Sequence, residues 1–205
     1  MFQEGIRERI KNARVKRRRS KMNSIEVMVK EHELISRMLK VMRKACYEIL
    51  KGEEVCTADL YEMADFVKYY ADKHHHDKEE KFLFKAMEEH LGALGQKLIR
   101  GGMLVEHDLG RLYMSDLREA LQKFEAGEEE SKLDIIANMI SYTHLLERHI
   151  AKENEVVYTF GEKQLAPSVL EEIHAQAKVY EEEAMVKGIQ EKYKQVVEKF
   201  EAKYL

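Results

Sequence analysis

The sequence predicts an all-α protein, and three observations support that prediction. Its 205 residues include a single proline, Pro167, and no tryptophan. Glu, Lys, Leu, Ala and Met are abundant, and no alternating run of β-branched residues indicates a strand. Apolar residues recur at alternating spacings of four and three, which is typical of helices in an antiparallel bundle. We therefore expect an up-down-up-down four-helix bundle.

Four amphipathic segments carry this spacing. The first spans about 25 to 51 and ends before Gly52, and the second spans about 57 to 91. The third begins near Met103, after a stretch that its glycines mark as a loop, and the fourth spans about 131 to 160. In each segment one side is apolar and the other is charged, so each should bury one face against its neighbours.

The chain is expected to divide into three parts. Residues 1–24 form a basic N-terminal extension, 25–160 form the bundle, and 161–205 form a C-terminal helical tail. Pro167 suits the first turn of a new helix, and we expect a bend at Gly188. The tail should pack on the bundle, and a contact between two copies of the chain is the alternative.

The N-terminal extension carries nine Lys or Arg residues between Arg7 and Lys21. The simplest interpretation is a solvated or frayed helical lead-in. The alternative is contact with an anionic partner such as nucleic acid, anionic lipid or an acidic protein. The whole chain has 38 acidic and 35 basic residues, so its net charge predicts neither a nucleic-acid nor a membrane partner.

Cysteine usage and hydropathy indicate a cytoplasmic protein. Cys46 and Cys56 are ten residues apart and form no CxxC pair, so we expect free thiols in a reducing compartment. The first residues are charged rather than apolar, which argues against a signal peptide. We expect no membrane span, because no apolar run approaches the roughly 18 residues that a bilayer requires.

Two short stretches repeat one motif. In each, a histidine is followed four residues later by a glutamate: His75 by Glu79, and His149 by Glu153. Residues four apart lie on the same face of an α-helix, so each pair directs an imidazole and a carboxylate the same way. This spacing is typical of metal ligands on a helix.

The repeat extends upstream of both motifs. Glu31-His32 precedes the first motif, and Glu106-His107 precedes the second. The first His is offset by 75 residues between the two halves, and the second His and the Glu are offset by 74. A constant offset over several positions indicates an internal repeat. We therefore interpret the chain as two helical hairpins, each of which supplies two His and one Glu.

Six polar side chains thus occupy positions that are otherwise apolar, and antiparallel connectivity brings them together at one end of the bundle. The six are His32, His75, Glu79, His107, His149 and Glu153. Hydrogen-bonded core histidines are the alternative, but two unpaired buried carboxylates would cost several kcal/mol each, and a metal removes that cost. Imidazole and carboxylate ligands without thiolate favour a pair of iron ions over structural zinc, with manganese or mixed occupancy left open.

Four stretches carry a family resemblance: EHELISRML, HHDKEEKFLF, MLVEHDLGRLY and HIAKENEVVYTF. In this order they resemble the ligand segments of hemerythrin-like HHE cation-binding domains, over about residues 25 to 160. The resemblance implies a non-haem di-iron centre in which Glu79 and Glu153 bridge the irons and the four histidines are terminal ligands. It also implies that dioxygen binds at an open iron position.

One position departs from the family pattern. Oxygen carriers of this family have a further His one turn after the third-helix ligand, and this chain has Arg111 there. A guanidinium cannot ligate iron. We therefore expect one iron to lack a protein ligand, which favours sensing, or turnover of oxygen, peroxide or nitric oxide, over reversible oxygen carriage.

The neighbouring polar residues are interpreted as supporting or surface groups. His74 and His76 flank His75 but are rotated by about 100° on an α-helix, so they should be exposed or support a ligand from outside. His76 is the substitute ligand if the register differs. Further residues with non-ligand expectations are His144 (turned away from the site), the pair Glu171 and His174 (solvated), and Tyr113, Tyr142 and Tyr158 (core packing, with hydrogen bonds to ligands as the alternative).

The sequence therefore predicts a protein that binds or senses dioxygen, or another small diatomic or peroxide ligand, rather than an enzyme. A di-iron peroxidase or nitric oxide reductase is the enzymatic alternative. Iron-level sensing or iron storage is a third possibility, in which metal binding would appear as stability of the fold.

Overall fold

The computed structural model describes residues 23–205, and all regular structure in that part is helical. The all-α prediction is confirmed. The basic stretch of the N-terminal extension lies outside the described residues. Six helices make up the described part: α1 (Ser24–Leu50), α2 (57–90), α3 (92–125), α4 (132–164), α5 (Pro167–Val186) and α6 (Ile189–Tyr204).

Local signals in the sequence explain where several helices begin and end. The side chain of Asn23 accepts hydrogen bonds from the first backbone amides of α1, the nearer at 3.0 Å, and so caps that helix. Gly52 follows the helix with a φ of 96°. Pro167 lies in the first turn of α5, and Gly188, with a φ of 68°, separates α5 from α6 as predicted.

The expected glycine loop before the third helix is wrong except at Gly92. That glycine has a φ of 60° and marks the turn between α2 and α3. Helix α3 begins there, so Gly95, Gly101 and Gly102 are helical. A Cβ at residue 95 would lie 2.4 Å from the carbonyl oxygen of Met87, so this glycine permits close packing rather than a loop.

Helices α2, α3 and α4 each contain π-helical turns. In α2 these cover Val67–His76 and Glu79–Phe84, and in α4 they cover Glu153–Val157. In α3 they cover Ile99–Met103. A π turn takes more residues than an α turn, so the rotation between successive residues is smaller. The motif residues of α2 and α4 lie in or beside these wider turns.

The helices enclose two apolar clusters with the polar motif residues between them. Contacts join α1 to α2 and α4, and α3 to α2 and α4. On α1, Met28 belongs to the smaller cluster and Ile35 to the larger one, and His32 lies between them. The six motif residues are therefore enclosed by apolar side chains on both sides.

The two C-terminal helices contact α1 and α2. Arg37 of α1 donates two hydrogen bonds to Glu201 of α6, at 2.8 and 2.6 Å. The hydroxyl of Tyr180 in α5 donates to the backbone oxygen of Lys73 in α2 at 2.5 Å. Every described helix is too short or too polar to cross a bilayer. Division of the chain at residues 24 and 160 stays a prediction.

Candidate metal centre

The structure brings all six predicted ligand residues together, and His76 joins them. Their potential ligand atoms fall into two groups, and within each group these atoms lie no more than 4.8 Å apart. The first group is His32, His75, Glu79 and Glu153, and the second is His76, His107 and His149. All seven side chains are buried.

The histidines turn their Nε2 atoms toward one another across the centre. The Nε2 atoms of His32 and His75 are 2.8 Å apart, and those of His107 and His149 are 3.0 Å apart. Two unprotonated nitrogens at this distance repel each other through their lone pairs. A cation between them would turn that repulsion into ligation.

Two of these imidazoles are fixed from outside by a glutamate. The Nδ1 of His75 donates to Glu31 and the Nδ1 of His149 donates to Glu106, both at 2.8 Å. Because Nδ1 carries the hydrogen, each ring in its neutral form presents its lone pair on the inward Nε2. In the protein alone, burial opposes the charge of His149 but Glu153 and Glu106 raise its pKa to about 9, so a metal would displace the proton from its Nε2. Outer partners of this kind orient metal-binding histidines and set their tautomer.

The other two imidazoles of the repeat have the same arrangement. The Nδ1 of His107 donates to Glu80 at 2.7 Å, and the Nδ1 of His32 donates to the side-chain oxygen of Asn154 at 2.8 Å. The repeat relates these partners as well, since Glu80 and Asn154 each follow a motif glutamate directly. Four inward lone pairs are thus fixed by four separate outer hydrogen bonds.

The two motif carboxylates lie between the histidine groups. Glu153 places one oxygen 3.2 Å from Nε2 of His32 and the other 3.1 Å from Nε2 of His149. The Oε2 atom of Glu79 is 3.6 Å from Nε2 of His75 and 3.7 Å from that of His107. Each carboxylate therefore reaches both groups, as a bridging ligand must.

Three of the four carboxylate oxygens in the centre lack a hydrogen-bond partner among the described residues. They are Oε2 of Glu79 and both oxygens of Glu153. The remaining one, Oε1 of Glu79, accepts a hydrogen bond from the hydroxyl of Tyr158. Buried polar atoms without partners are rare and costly, so three at one point indicate a missing cationic ligand.

In the protein alone, these closely packed buried groups shift one another's pKa values. Burial and the charge of Glu153 raise the pKa of Glu79 well above its ordinary value. Burial acts against ionisation of Glu153 too, but His149 and His107 hold its pKa well below the usual range. Burial and the neighbouring His32 lower the pKa of His75 to about 3, so that ring is neutral and can ligate at neutral pH.

The donor chemistry fits a pair of hard or borderline transition-metal ions. The inward atoms are imidazole nitrogens and carboxylate oxygens, which suit iron and manganese. Thiolates do not contribute, because Cys46 is buried in the larger apolar cluster and Cys56 is exposed. Both cysteines are free, as predicted.

The expectation that His76 lies outside the centre is wrong. His76 is 4% exposed, and its ring stacks on His107 with the ring centroids 3.8 Å apart. The expectation assumed an α-helical rotation, whereas Val67–His76 is π-helical and lets adjacent histidines face the interior. The neighbouring His74 is also buried and contacts Glu31 through Nε2 at 3.0 Å, so it supports a ligand from outside.

Arg111 lies outside the two ligand groups and binds carboxylates around them. Its guanidinium donates to Glu80 and Asp72, at 2.7 and 2.8 Å, and to Asp108. Because Glu80 accepts from His107, the arginine fixes that ligand indirectly. A histidine from α2, His76, is a candidate for the ligand that Arg111 cannot supply.

The structure also tests the expectations for the other polar residues near the motifs. His144 contacts Arg43 and lies outside the two ligand groups, as expected. His174 does not fit the solvated interpretation, because its Nδ1 accepts from the hydroxyl of Ser24 at 2.9 Å. Tyr158 stacks on His32, with the ring centroids 5.6 Å apart, in addition to its contact with Glu79. Tyr142 is buried and lines a cavity beside the centre, and Tyr113 packs at the edge of the larger apolar cluster.

Comparison with protein families identifies one match. The model described as "Hemerythrin HHE cation binding domain" matches residues 23–160, which include both ligand groups. Neither curated proteins nor solved structures provide a significant match.

Proposed function

The chain belongs to the family of hemerythrin HHE cation-binding domains, and we propose that it is a non-haem di-iron protein that binds or senses dioxygen or a related small molecule. We further propose that α1 to α4 form an up-down-up-down bundle around the iron pair. The observation that carries the proposal is the convergence of inward nitrogen lone pairs and unpartnered carboxylate oxygens.

The two groups define two metal positions. His32 and His75 would hold the first ion, and three histidines would hold the second: His76, His107 and His149. Glu79 and Glu153 would bridge the two ions, since each carboxylate reaches both groups. Iron fits this nitrogen and oxygen set, and manganese or mixed occupancy is the alternative that metal analysis tests.

The first position has one histidine fewer than the second, so we assign the small-molecule site to it. A reduced iron pair supplies electrons and an exchangeable coordination position to a bound molecule. On the side of His32 that faces the smaller apolar cluster, the protein supplies buried apolar side chains such as Met28. The hydroxyl of Tyr158 lies 3.4 Å from Nε2 of His32 and donates to Oε1 of Glu79. It would be free to donate to a bound molecule once the metal ions take up that carboxylate.

We also propose a cytoplasmic location, supported by two free cysteines. Contact between the basic N-terminal extension and an anionic partner stays a prediction, because those residues lie outside the described part of the chain.

The test is metal analysis combined with visible spectroscopy of anaerobically reduced protein. We expect two irons per chain and a charge-transfer band that appears in air and disappears under vacuum. Iron that oxidises irreversibly without such a band would contradict reversible oxygen binding and favour a sensor or a reductase. A protein without iron after reconstitution would contradict the whole proposal.

A matched pair of variants on α4 provides the control. His149→Ala removes an inward ligand, whereas His144→Ala removes a histidine five residues earlier that contacts Arg43 instead. We expect the first variant to lose iron and the band, and the second to retain both. Equal behaviour of the two variants would place the metal elsewhere.

A further inference from the structure

A cavity of about 290 Å³ lies between α2 and α3 and ends at the candidate metal centre. His76 and His107 line the end beside the centre, and Tyr142 of α4 also contributes to the wall. The exposed residues Lys68 and Ser115 line the cavity where it opens to solvent. Concave sites with an apolar lining and a few polar groups are typical of small-molecule binding.

The internal repeat explains why this cavity occurs on one side of the centre. Gly110 lines the cavity, and the residue 75 positions earlier, at the equivalent place in the first half, is the buried Ile35. A Cβ at residue 110 would lie 3.4 Å from the ring of Tyr142. Glycine therefore leaves space beside His107 that a branched side chain fills beside His32.

Two buried polar atoms in the cavity wall have no hydrogen-bond partner among residues 23–205. They are the hydroxyl of Tyr142, a residue that is 1% exposed, and Nδ1 of His76. Burial raises the pKa of Tyr142, so its hydroxyl stays protonated and can donate at neutral pH. An unsatisfied buried hydroxyl is costly, and a ligand with an acceptor oxygen would remove that cost.

One cation at the cavity mouth is available to an anion. The cavity lining contains three cations, Lys68, Arg111 and Arg118, and one carboxylate, Asp72. Arg118 pairs with Asp65 at 2.6 Å. Arg111 pairs with three carboxylates, those of Asp72, Glu80 and Asp108. Within the described part of the chain, no carboxylate lies in ion-pair range of Lys68, so its ammonium is available to an anionic ligand.

We propose that this cavity binds a small organic carboxylate with a short apolar body. The side chains of Val67 and Met114 would contact the body, and the carboxylate would accept from the hydroxyl of Tyr142 and neutralise the charge of Lys68. The inference rests on the proposed function only for the identity of the adjacent metal ions. It assigns to the three-histidine side of the centre a ligand that does not itself coordinate iron.

Benzoate is the probe, and benzyl alcohol is its neutral counterpart. Both are titrated by calorimetry into the full chain after its iron content has been measured in the same preparation. We expect benzoate to bind at least tenfold more tightly than benzyl alcohol, and to leave the visible spectrum of the iron unchanged. Equal binding of the two probes, or a spectrum that shifts on benzoate binding, would overturn the proposal.

Two variants locate the binding site. Ser115→Trp places a large side chain at the exposed mouth of the cavity, and we expect it to weaken benzoate binding at least tenfold. Glu119→Trp, four residues later on the same helix and outside the cavity lining, should bind benzoate as the unmodified chain does. Unchanged binding by Ser115→Trp would place benzoate elsewhere on the molecule and refute the inference.

Removal of the unpartnered hydroxyl provides a test of its role. Tyr142→Phe keeps the ring and removes the donor, so we expect about tenfold weaker benzoate binding, in line with a hydrogen bond to a charged acceptor. Undiminished binding would refute the assigned contact. Benzoate binding without iron in the preparation would contradict the proposed function alone, and two irons without benzoate binding would contradict the cavity alone.

Discussion

The two halves of the centre use one hydrogen-bond arrangement in two different environments. In the first half, Glu31 holds the outer nitrogen of a ligand histidine and accepts from Lys78. In the second half, Glu106 and Lys152 repeat this arrangement. The side chain of Lys78 is 1% exposed, whereas that of Lys152 is 45% exposed. The same contacts should therefore contribute very different free energies to the fold.

The C-terminal tail causes this difference. Glu181 of α5 accepts from the ammonium of Lys78, and its other oxygen accepts from Gln190 of α6 at 3.0 Å. Nε2 of His74 lies 3.4 Å from Glu181. A buried ammonium is stable only with closely placed anionic partners, and Lys78 has two. The tail therefore buries the outer hydrogen-bond partners of the first ligand group and leaves those of the second group open to water.

The largest effect is expected where the two halves meet. Glu153→Ala removes the carboxylate that reaches His32 with one oxygen and His149 with the other. Both metal positions depend on this bridge, so we expect iron content to fall from two per chain to one or none. Elemental analysis of reconstituted protein measures this. If the variant retains two irons, the carboxylate does not bridge and the two halves are independent.

The next prediction compares the removal of Lys78 with the removal of Lys152. Lys78→Met leaves Glu31 and Glu181 without their buried cation, and we expect a loss of about 3 to 5 kcal/mol in the free energy of unfolding. Lys152→Met removes a largely exposed ion pair and should cost about 0 to 1 kcal/mol. Urea denaturation of both variants at matched iron content measures the difference. Similar losses would mean that the tail does not create a distinct environment around Lys78.

The sequence predicted one part of this comparison and missed another. The offset of 74 or 75 residues identified His32, His75, His107 and His149 as equivalent pairs. The same offset relates Glu31 to Glu106 and could have identified both as outer partners. Charged residues beside a motif resemble ordinary surface charges, however, and only packing distinguishes the two. The contact between Glu181 and Lys78 spans 103 residues and has no counterpart in the repeat, so no local pattern predicts it.

His76 shows a second limit of sequence reasoning. A doublet of histidines signals that one of them is inward, but the choice depends on the helical rotation per residue. The pattern of apolar residues did not reveal that α2 is π-helical at Val67–His76. With that wider turn, His75 and His76 belong to different groups of potential ligands. The equivalent of His76 in the second half is Ile150, so this seventh candidate ligand has no partner in the repeat.

A smaller effect tests how Arg111 acts on the second half. Arg111→Gln removes the guanidinium that fixes Glu80, which in turn holds His107. Loss of an outer partner of a ligand costs metal affinity by about 10- to 100-fold, and we expect the lower end of that range here because Glu80 itself remains. Competition with a metal chelator measures the affinity. Arg118→Gln, two turns later on α3 and paired with Asp65, is the control that should leave affinity unchanged.

The smallest effect concerns an aromatic pair that distinguishes the two halves by a single hydroxyl. Tyr158 stacks on His32, and its repeat equivalent, Phe84, stacks on His107, with ring centroids 5.6 and 5.8 Å apart. Tyr158→Phe would make the halves alike while leaving every proposed metal ligand in place. We therefore expect two irons per chain to remain.

The hydroxyl should matter for the bound small molecule instead of the metal. If the open position is beside His32, loss of one hydrogen bond from Tyr158 should speed dioxygen dissociation by about tenfold, which corresponds to about 1.4 kcal/mol. Stopped-flow spectroscopy of the oxygenated protein measures this rate. Phe84→Tyr, the reciprocal change beside His107, should leave the rate unaltered. A slower rate in Phe84→Tyr, with no change in Tyr158→Phe, would move the open position to the second half, because the added hydroxyl would then donate to the bound molecule.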